Sequence, residues 1–225
     1  MNKIIQSLIN EVVQIEVSGK KQINGTLIDL GSDIVVLFNG ADFMYIPLHH
    51  IQSLDIGSNE EYEIQPPTVS PSIFSGETED ELSYNEVLLQ AKGKYVEIYI
   101  TDDQSLHGYI THIKNDYFEF YSPIYKKMYI AINHLKWLIP YVKNENPYGQ
   151  IKEEGNLQTD KDSLENTFEA QVEKLKSSIV VLNIGGKHSH VGKINNVEKQ
   201  IIEMKTARIV PIYLNLDHIK TLHQV

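Results

Sequence analysis

Apolar and polar residues alternate with a period of two in short segments along most of the chain. Val13, Ile15 and Val17 occupy alternate positions of one such segment, and equivalent segments begin at Val96 and Val180. This alternation places apolar side chains on one face of a β-strand and polar side chains on the other. Each segment is followed by a polar turn and further strand patterns, so the chain is predicted to be mainly β.

Apolar residues also recur at helical spacing just before each set of strands, in residues 4–9, 87–91 and 168–175. Ser83 is suited to cap the second of these segments, and Glu86 three residues later completes a capping-box pattern. A short helix is therefore predicted in front of each set of strands.

The whole pattern occurs three times. The second strand of each copy carries a glycine, at Gly25, Gly108 and Gly192. The closing motif of each copy begins with a histidine, and the three are His50, His134 and His218, which are evenly spaced along the chain. A fixed period of this length indicates tandem copies of one small domain. Glycine inside a strand is typical of a bulge or sharp bend, and each histidine is predicted to start the last strand of its copy.

Five short antiparallel strands after a helix predict a small barrel, in which closure removes exposed strand edges. The order of valine-rich strand, glycine, acidic turn and His-Ile ending resembles that of Sm-like barrels. We therefore predict three tandem five-stranded Sm-like or SH3-like barrels at residues 1–56, 84–141 and 166–225. Acidic linkers are predicted at residues 57–83 and 142–165.

The charge of the chain lies in those linkers. The net charge is −10; residues 57–83 carry seven acids with no lysine or arginine, and residues 142–165 carry six acids and three lysines. The three modules together are therefore neutral. Both linkers are also rich in Pro, Gly, Ser and Asn, which is typical of solvated tethers.

Membrane and secretion signals are absent from the sequence. No apolar run approaches the roughly 18 residues of a membrane span, and the first ten residues lack a signal-peptide pattern. With no cysteine there is no disulfide or thiol chemistry. We expect a protein made and folded in the cytoplasm.

Two kinds of chemistry are conceivable for the repeated histidines. His50, His134 and His218 could meet on a pseudo-threefold axis and bind a metal such as zinc, or each could bond locally to the backbone. We favour the second, because no carboxylate recurs beside all three. The acids Asp29, Asp33, Asp116 and Glu198 likewise do not recur as one catalytic position, and no nucleophile elbow or phosphate-binding loop occurs. We expect neither enzyme activity nor a cofactor.

Tyrosine outnumbers phenylalanine thirteen to six, and tyrosine suits a surface that forms contacts. A candidate interface comprises residues of the second module, namely Tyr117, Tyr121, Tyr125 and Tyr129. The alternative is single-stranded RNA binding by a pseudo-trimer, with Tyr45, Tyr117 and Tyr129 as stacking platforms. Neutral modules and acidic linkers argue against it, because phosphate binding needs excess positive charge.

The triplication, the acidic linkers, the Gly185-Gly186 turn and the closing His218-Ile219-Lys220 motif together resemble the spore coat protein B family of endospore-forming bacilli. The resemblance implies a structural protein of the spore coat, deposited from the mother-cell cytoplasm. Its partners would be other coat proteins or further copies of itself. Nucleic acid is the less favoured partner, and no membrane association is expected.

Overall fold

The computed structural model describes residues 2–57, 64–73, 82–100, 105–141, 148, 163–185 and 189–225. The helices are α1 Lys3–Gln6, α2 Tyr84–Ala91 and α3 Phe168–Lys174. The first strand set is β1 Val12–Val17, β2 Lys21–Leu30, β3 Ile34–Phe38, β4 Phe43–Pro47 and β5 Ile51–Ile56. The second is β6 Tyr95–Tyr99, β7 Leu106–Ile113, β8 Tyr117–Ser122, β9 Lys126–Ala131 and β10 Trp137–Pro140. The third is β11 Ile179–Leu182, β12 His190–Glu198, β13 Ile201–Lys205, β14 Ile212–Asn215 and β15 Thr221–Gln224.

The chain divides into two compact units. The first comprises residues 1–100 and 135–141, and its antiparallel strands follow the order β5-β1-β2-β3-β4-β10-β6. Alternate residues of β1 to β4 form its core, and Tyr99, Trp137 and Ile139 complete that core. The core of the first module therefore includes side chains that the sequence assigns to the second.

The second unit comprises residues 101–134 and 142–225. Its strand order is β7-β8-β9-β15-β11-β12-β13-β14. The core consists of residues from α3 and from β11 to β15, together with Tyr117, Tyr129 and Ala131 from the second strand set. Here too, one complete module shares its core with strands of the second.

The mainly β prediction is confirmed, and so are the three preceding helices. Ser83 and Glu86 form the expected capping box at α2: the Ser83 side chain accepts from the Glu86 N–H, and the Glu86 side chain accepts from the Ser83 N–H. Helix α1 is only four residues long, and the Asn2 side chain caps it. The first and third strand sets both follow the order 5-1-2-3-4, while the Sm-like or SH3-like barrel type remains a prediction.

Two strand starts differ from the sequence prediction. The three histidines do not begin strands but end short 3-10 helices, at Leu48–His50, Ile132–His134 and Leu216–His218. The chain must make this turn before its last strand. In the third module, the apolar run from Ile209 predicts that the fourth strand begins there, but Ile209 and Val210 lie in an exposed bend before Pro211 and β14 begins at Ile212.

The repeated glycines lie where two strands approach closely, shortly before the bulge itself. A Cβ at Gly25 would lie 2.6 Å from the Phe38 carbonyl oxygen, and one at Gly192 would lie 2.5 Å from that of Lys205. A Cβ at Gly108 would clash with the Tyr121 carbonyl oxygen. The pairing shifts near residues 27–29, 110–112 and 194–196. Close backbone contact, rather than the bulge, therefore requires glycine.

The first linker is not solvated along its whole length. Ile73 is buried, and so is Leu82. The Tyr45 hydroxyl donates to the Ile73 carbonyl at 2.7 Å and accepts from the Ile73 N–H at 3.1 Å. Apart from Glu165, the linker acids lie outside the described residues.

Candidate assembly surface

A strand of the second module joins the first module directly. In the first unit, β10 lies antiparallel to β4, with Leu138 opposite Tyr45. Both residues are buried. The Trp137 ring stacks on Tyr99 with centroids 3.8 Å apart and planes 2° from parallel, and both rings belong to the core that contains β1 to β4. Strand addition and apolar packing therefore hold this joint together.

The second unit contains an equivalent joint between the second and third modules. Strand β15 lies antiparallel to β9, with Leu222 opposite Tyr129. Leu222 lies one repeat period after Leu138, and Tyr129 lies one repeat period after Tyr45. The two joints therefore have the same register. One surface of the module, the edge of its fourth strand, accepts the fifth strand of the next module in both cases.

The two joints differ in the length of their ladders, and one residue explains the difference. The second joint has three opposed pairs, and the Ala131 N–H donates to the Lys220 carbonyl at 3.1 Å. The position equivalent to Ala131 in the first module is Pro47. Proline has no N–H to donate, so the same bond cannot form at the first joint, where one opposed pair occurs.

Acidic side chains also link successive modules. The Asp33 carboxylate accepts from the Tyr84 N–H at 2.7 Å. The Asp116 carboxylate accepts from the Phe168 N–H at 2.8 Å. In each case the turn after the second strand of one module caps the helix that begins the next, where the first backbone N–H groups lack intrahelical partners. From the sequence, Asp33 and Asp116 are considered only as catalytic positions, whereas in the structure both join successive modules.

The repeated histidines make different local contacts. His50 Nδ1 and Ser18 Oγ hydrogen-bond at 2.9 Å. His134 Nε2 donates to the Asp217 carbonyl at 2.9 Å, which links the second and third modules. Burial lowers the His134 pKa, since the charged ring loses hydration. The His218 carbonyl accepts from Asn183 Nδ2 at 3.2 Å.

No cluster of three or more histidine, aspartate or glutamate side chains that could hold a metal ion occurs among the residues that the structure describes. Three other histidines, His49, His188 and His190, are potential metal ligands by residue type, and His49 lies against His50 with ring centroids 4.2 Å apart. His190 begins β12, and His188 falls outside the described residues.

The four candidate interface tyrosines do not form one exposed surface. Tyr117 and Tyr129 are buried, and the Tyr117 hydroxyl donates to the Glu165 carbonyl at 2.7 Å. Tyr121 and Tyr125 are half-buried on the hairpin of β8 and β9. Of the four, Tyr129 lies at a joint, but that joint is within the chain.

The second module contains a buried carboxylate, Glu119, that the sequence pattern does not predict. Glu119 accepts from Thr111 Oγ1 at 2.6 Å and lies 3.1 Å from His112 Nδ1. Lys127 Nζ lies 4.0 Å from its second oxygen. Glu119 lies within the aromatic run Tyr117-Phe118-Glu119-Phe120-Tyr121. An acid between aromatic residues of a strand is expected to face solvent, so the sequence does not indicate that Glu119 is buried. These partners satisfy the hydrogen-bonding capacity of the Glu119 carboxylate in its buried position.

The joints, too, could have been found from the sequence by comparing the copies position by position. Tyrosine recurs at Tyr45, Tyr129 and Tyr213, and leucine recurs at Leu54, Leu138 and Leu222. Both sets have the same even spacing as the repeated histidines, and the joints pair Leu138 with Tyr45 and Leu222 with Tyr129. A residue that stays the same in every copy of a repeat is a candidate for contacts between copies.

The fold and its joints define a mainly β protein built from tandem modules that join by strand addition. The profile of the YwrJ third domain matches residues 167–222. The uncharacterized protein YwrJ of Bacillus subtilis (strain 168) is 34% identical over 223 residues, covering 98% of this chain and 99% of that protein. The chain belongs to the YwrJ family. The comparisons show the YwrJ family and do not show the spore coat protein B family, which the sequence motifs resemble. None of the described helices is long and apolar enough to cross a membrane.

Proposed function

We propose that this protein is a non-catalytic structural component of the bacterial endospore coat and acts through protein–protein contacts. The observation that carries the proposal is the repeated joint. One edge of the module accepts the same strand in the same register twice, at Tyr45 and at Tyr129. A surface that binds its own kind of strand repeatedly suits assembly, since ladder bonds and alternating side chains provide both affinity and register.

The polar groups of the described modules support an assembly role. Asp33 and Asp116 bond to the helices of following modules. Glu119, the buried acid in the described part of the chain, is held by Thr111 and His112. Catalysis needs an acid, base or nucleophile positioned toward a substrate. These groups instead form hydrogen bonds with other residues of the protein.

The location in the coat rests on two lines of support. The closing His218-Ile219-Lys220 motif and the triplication resemble the spore coat protein B family, and a near full-length relative comes from Bacillus subtilis. We propose three Sm-like or SH3-like barrels as the fold that presents the assembly edges. The order 5-1-2-3-4 in the first and third strand sets suits that barrel type.

RNA binding is less well supported than assembly. Tyr45, Tyr117 and Tyr129, the rings considered for base stacking, are all buried. Stacking requires an exposed aromatic face beside a positively charged groove. Those rings instead pack in the module cores and at the joints.

A fluorescent fusion in sporulating cells of the source organism tests the coat proposal. We expect a ring of signal around the forespore that persists on mature spores, whereas the fluorescent protein alone stays diffuse. A fusion signal that is diffuse and equally strong in growing cells would overturn the proposal. Salt-dependent retention on single-stranded RNA would then become the next measurement.

A further inference from the structure

Two strand edges remain open in the part of the chain that the structure describes. Strand β5 pairs only with β1, and β14 pairs only with β13. Strand β5 is the first-module counterpart of β10 and β15, the strands that are donated at the two joints. Strand β14 is the third-module counterpart of β4 and β9, the strands that accept them. One donating edge and one accepting edge are therefore unused.

Burial distinguishes the open edges from the occupied ones. Tyr213 is 66% exposed, whereas its counterparts Tyr45 and Tyr129 are 1% and 6% exposed. Leu54 is half-buried, whereas Leu138 and Leu222 are fully buried. The same residue types are thus buried at the joints and more exposed at the two ends of the repeat. Exposed apolar residues on an unpaired edge commonly mark a site of pairing with another chain.

The backbone of β14 is oriented for pairing. The Leu216 N–H donates to the Gln200 carbonyl, toward the β13 side. Since N–H groups alternate in direction along a strand, those of Tyr213 and Asn215 point away from β13. In β9 the counterpart of Asn215, Ala131, uses that outward N–H to bond Lys220 of the third module. The accepting edge therefore has its donors in place.

We propose that a second copy of this chain supplies the missing strand, so that β5 of one copy pairs antiparallel with β14 of another. The register of the two joints places Leu54 opposite Tyr213, Ser53 opposite Leu214 and Asp55 opposite Ile212. Each copy carries one donating and one accepting edge, so association is head-to-tail. This inference rests on the proposed assembly function and names its partner.

The joint between copies lacks one contact that the joints within the chain possess. The third-module counterpart of Asp116 is Gln200, which has no carboxylate, and the Gln200 N–H bonds the Glu169 side chain of its own module. In helix α1, which would receive the cap, the Asn2 side chain already accepts from the Ile4 and Ile5 N–H groups. The contact between copies is therefore weaker than those within the chain, and association depends on protein concentration.

Cysteine cross-linking tests the register, because the natural chain has no cysteine. We would mix Ser53→Cys protein with Leu214→Cys protein under mild oxidation. Directly opposed residues that do not exchange ladder bonds have the closest Cβ atoms in an antiparallel pair, and a disulfide requires that closeness. A mixture of Asp55→Cys and Leu214→Cys is the matched control, since Asp55 lies two residues out of register.

We expect the mixture of Ser53→Cys and Leu214→Cys to form a covalent heterodimer at least about tenfold faster than the control mixture. Equal rates, or no cross-link in either mixture, would overturn the proposed pairing. A dominant cross-link in the Asp55→Cys mixture would overturn the register and with it the equivalence of the three joints.

Complementation tests the edges themselves. Tyr213→Lys blocks the accepting edge, Leu54→Lys blocks the donating edge, and Val191→Lys, a similarly exposed apolar site, is the control. By sedimentation velocity at micromolar concentrations, we expect wild type and Val191→Lys to associate, and each edge variant to remain monomeric. Mixing the two edge variants should restore a dimer, because one intact edge of each kind remains.

The outcomes separate this inference from the proposed function. A monomeric wild type, edge variants that associate like wild type, or a mixture that stays monomeric would each overturn the pairing. Association in solution together with a diffuse fusion in sporulating cells would retain the pairing and overturn the coat function. A forespore ring formed equally by wild type and Tyr213→Lys would retain the coat function but remove self-association from it.

Discussion

Replacing Asp116 with alanine tests whether the carboxylate between modules stabilises the protein. The Asp116 carboxylate accepts from the Phe168 N–H at 2.8 Å, and Phe168 is buried. Helix α3 also has a cap of its own, since Thr167 Oγ1 accepts from the Ala170 N–H at 3.3 Å. The two caps satisfy different N–H groups, so neither can substitute for the other.

The expected decrease in the free energy of unfolding follows from these contacts. Loss of a helix cap costs about 0.5–2 kcal/mol, and a hydrogen bond to a charged group contributes about 1.5–3 kcal/mol. The Phe168 N–H lies in the first turn of α3 and would lose its acceptor beside a buried ring. We therefore expect Asp116→Ala to lower the free energy of unfolding by about 1.5–2 kcal/mol. Asp116→Asn keeps an acceptor oxygen and should lose less than half of that.

Urea denaturation followed by circular dichroism measures the change, with the slope of the transition checked for two-state behaviour. Gln200→Ala, at the equivalent turn of the third module, is the control and should have little effect, because only the Gln200 backbone bonds Glu169. Thr167→Ala should add to Asp116→Ala in the double variant. The reasoning is refuted if Asp116→Ala is no more destabilising than Gln200→Ala.

Three further predictions concern the cores and the second joint. Tyr45→Phe removes both bonds to buried Ile73 and should cost about 2–3 kcal/mol in urea denaturation. Burial raises the pKa of Tyr45 to about 12 and also raises the pKa values of Tyr84 and Tyr117, so ultraviolet titration of Tyr45→Phe should show one late-ionising tyrosine fewer than wild type. Gly192→Ala should cost about 1–3 kcal/mol by overpacking against Lys205, and an unchanged melting temperature would contradict the close approach. Burial in the folded state lowers the His134 pKa below the unfolded value of about 6.5. The contribution of His134 to the free energy of unfolding should therefore be complete above that unfolded pKa and decrease as the pH falls from it towards the folded pKa. His134→Asn should lose less stability than wild type on the same acidification.

Local features of the fold could be predicted because they depend on neighbouring residues. The capping box of Ser83 and Glu86 is a spacing of three residues within one helix turn. The alternation from Val13 to Val17 determines which face of β1 is buried. The positions of the histidines could not be predicted equally well. A short 3-10 turn and a strand start have similar composition, so His50 was assigned to the strand that follows it.

The joints could not be predicted from alternation, because alternation specifies the buried face of a strand and not the strand beside it. Alternation predicts that Leu138 and Leu222 lie in the closing strands of their own modules, and in the structure each strand also pairs with the edge of the preceding module. Alternation does not distinguish the buried Tyr129 from a surface ring for the same reason. An apolar residue that faces another module looks the same in sequence as one that faces its own core.

Comparison of the three copies, position by position, can identify the residues at the joints, which the alternation of apolar and polar residues cannot. Selection for packing within a module acts on each copy alone, whereas a contact between modules constrains a pair of positions in neighbouring copies. Tyr213 fits this distinction, since it keeps the tyrosine of Tyr45 and Tyr129 although no strand covers it within the described part of the chain. An exposed aromatic ring on an open edge favours aggregation unless it has a partner. The persistence of tyrosine at this position is therefore explained if β14 is covered in the assembled protein by the strand that carries Leu54.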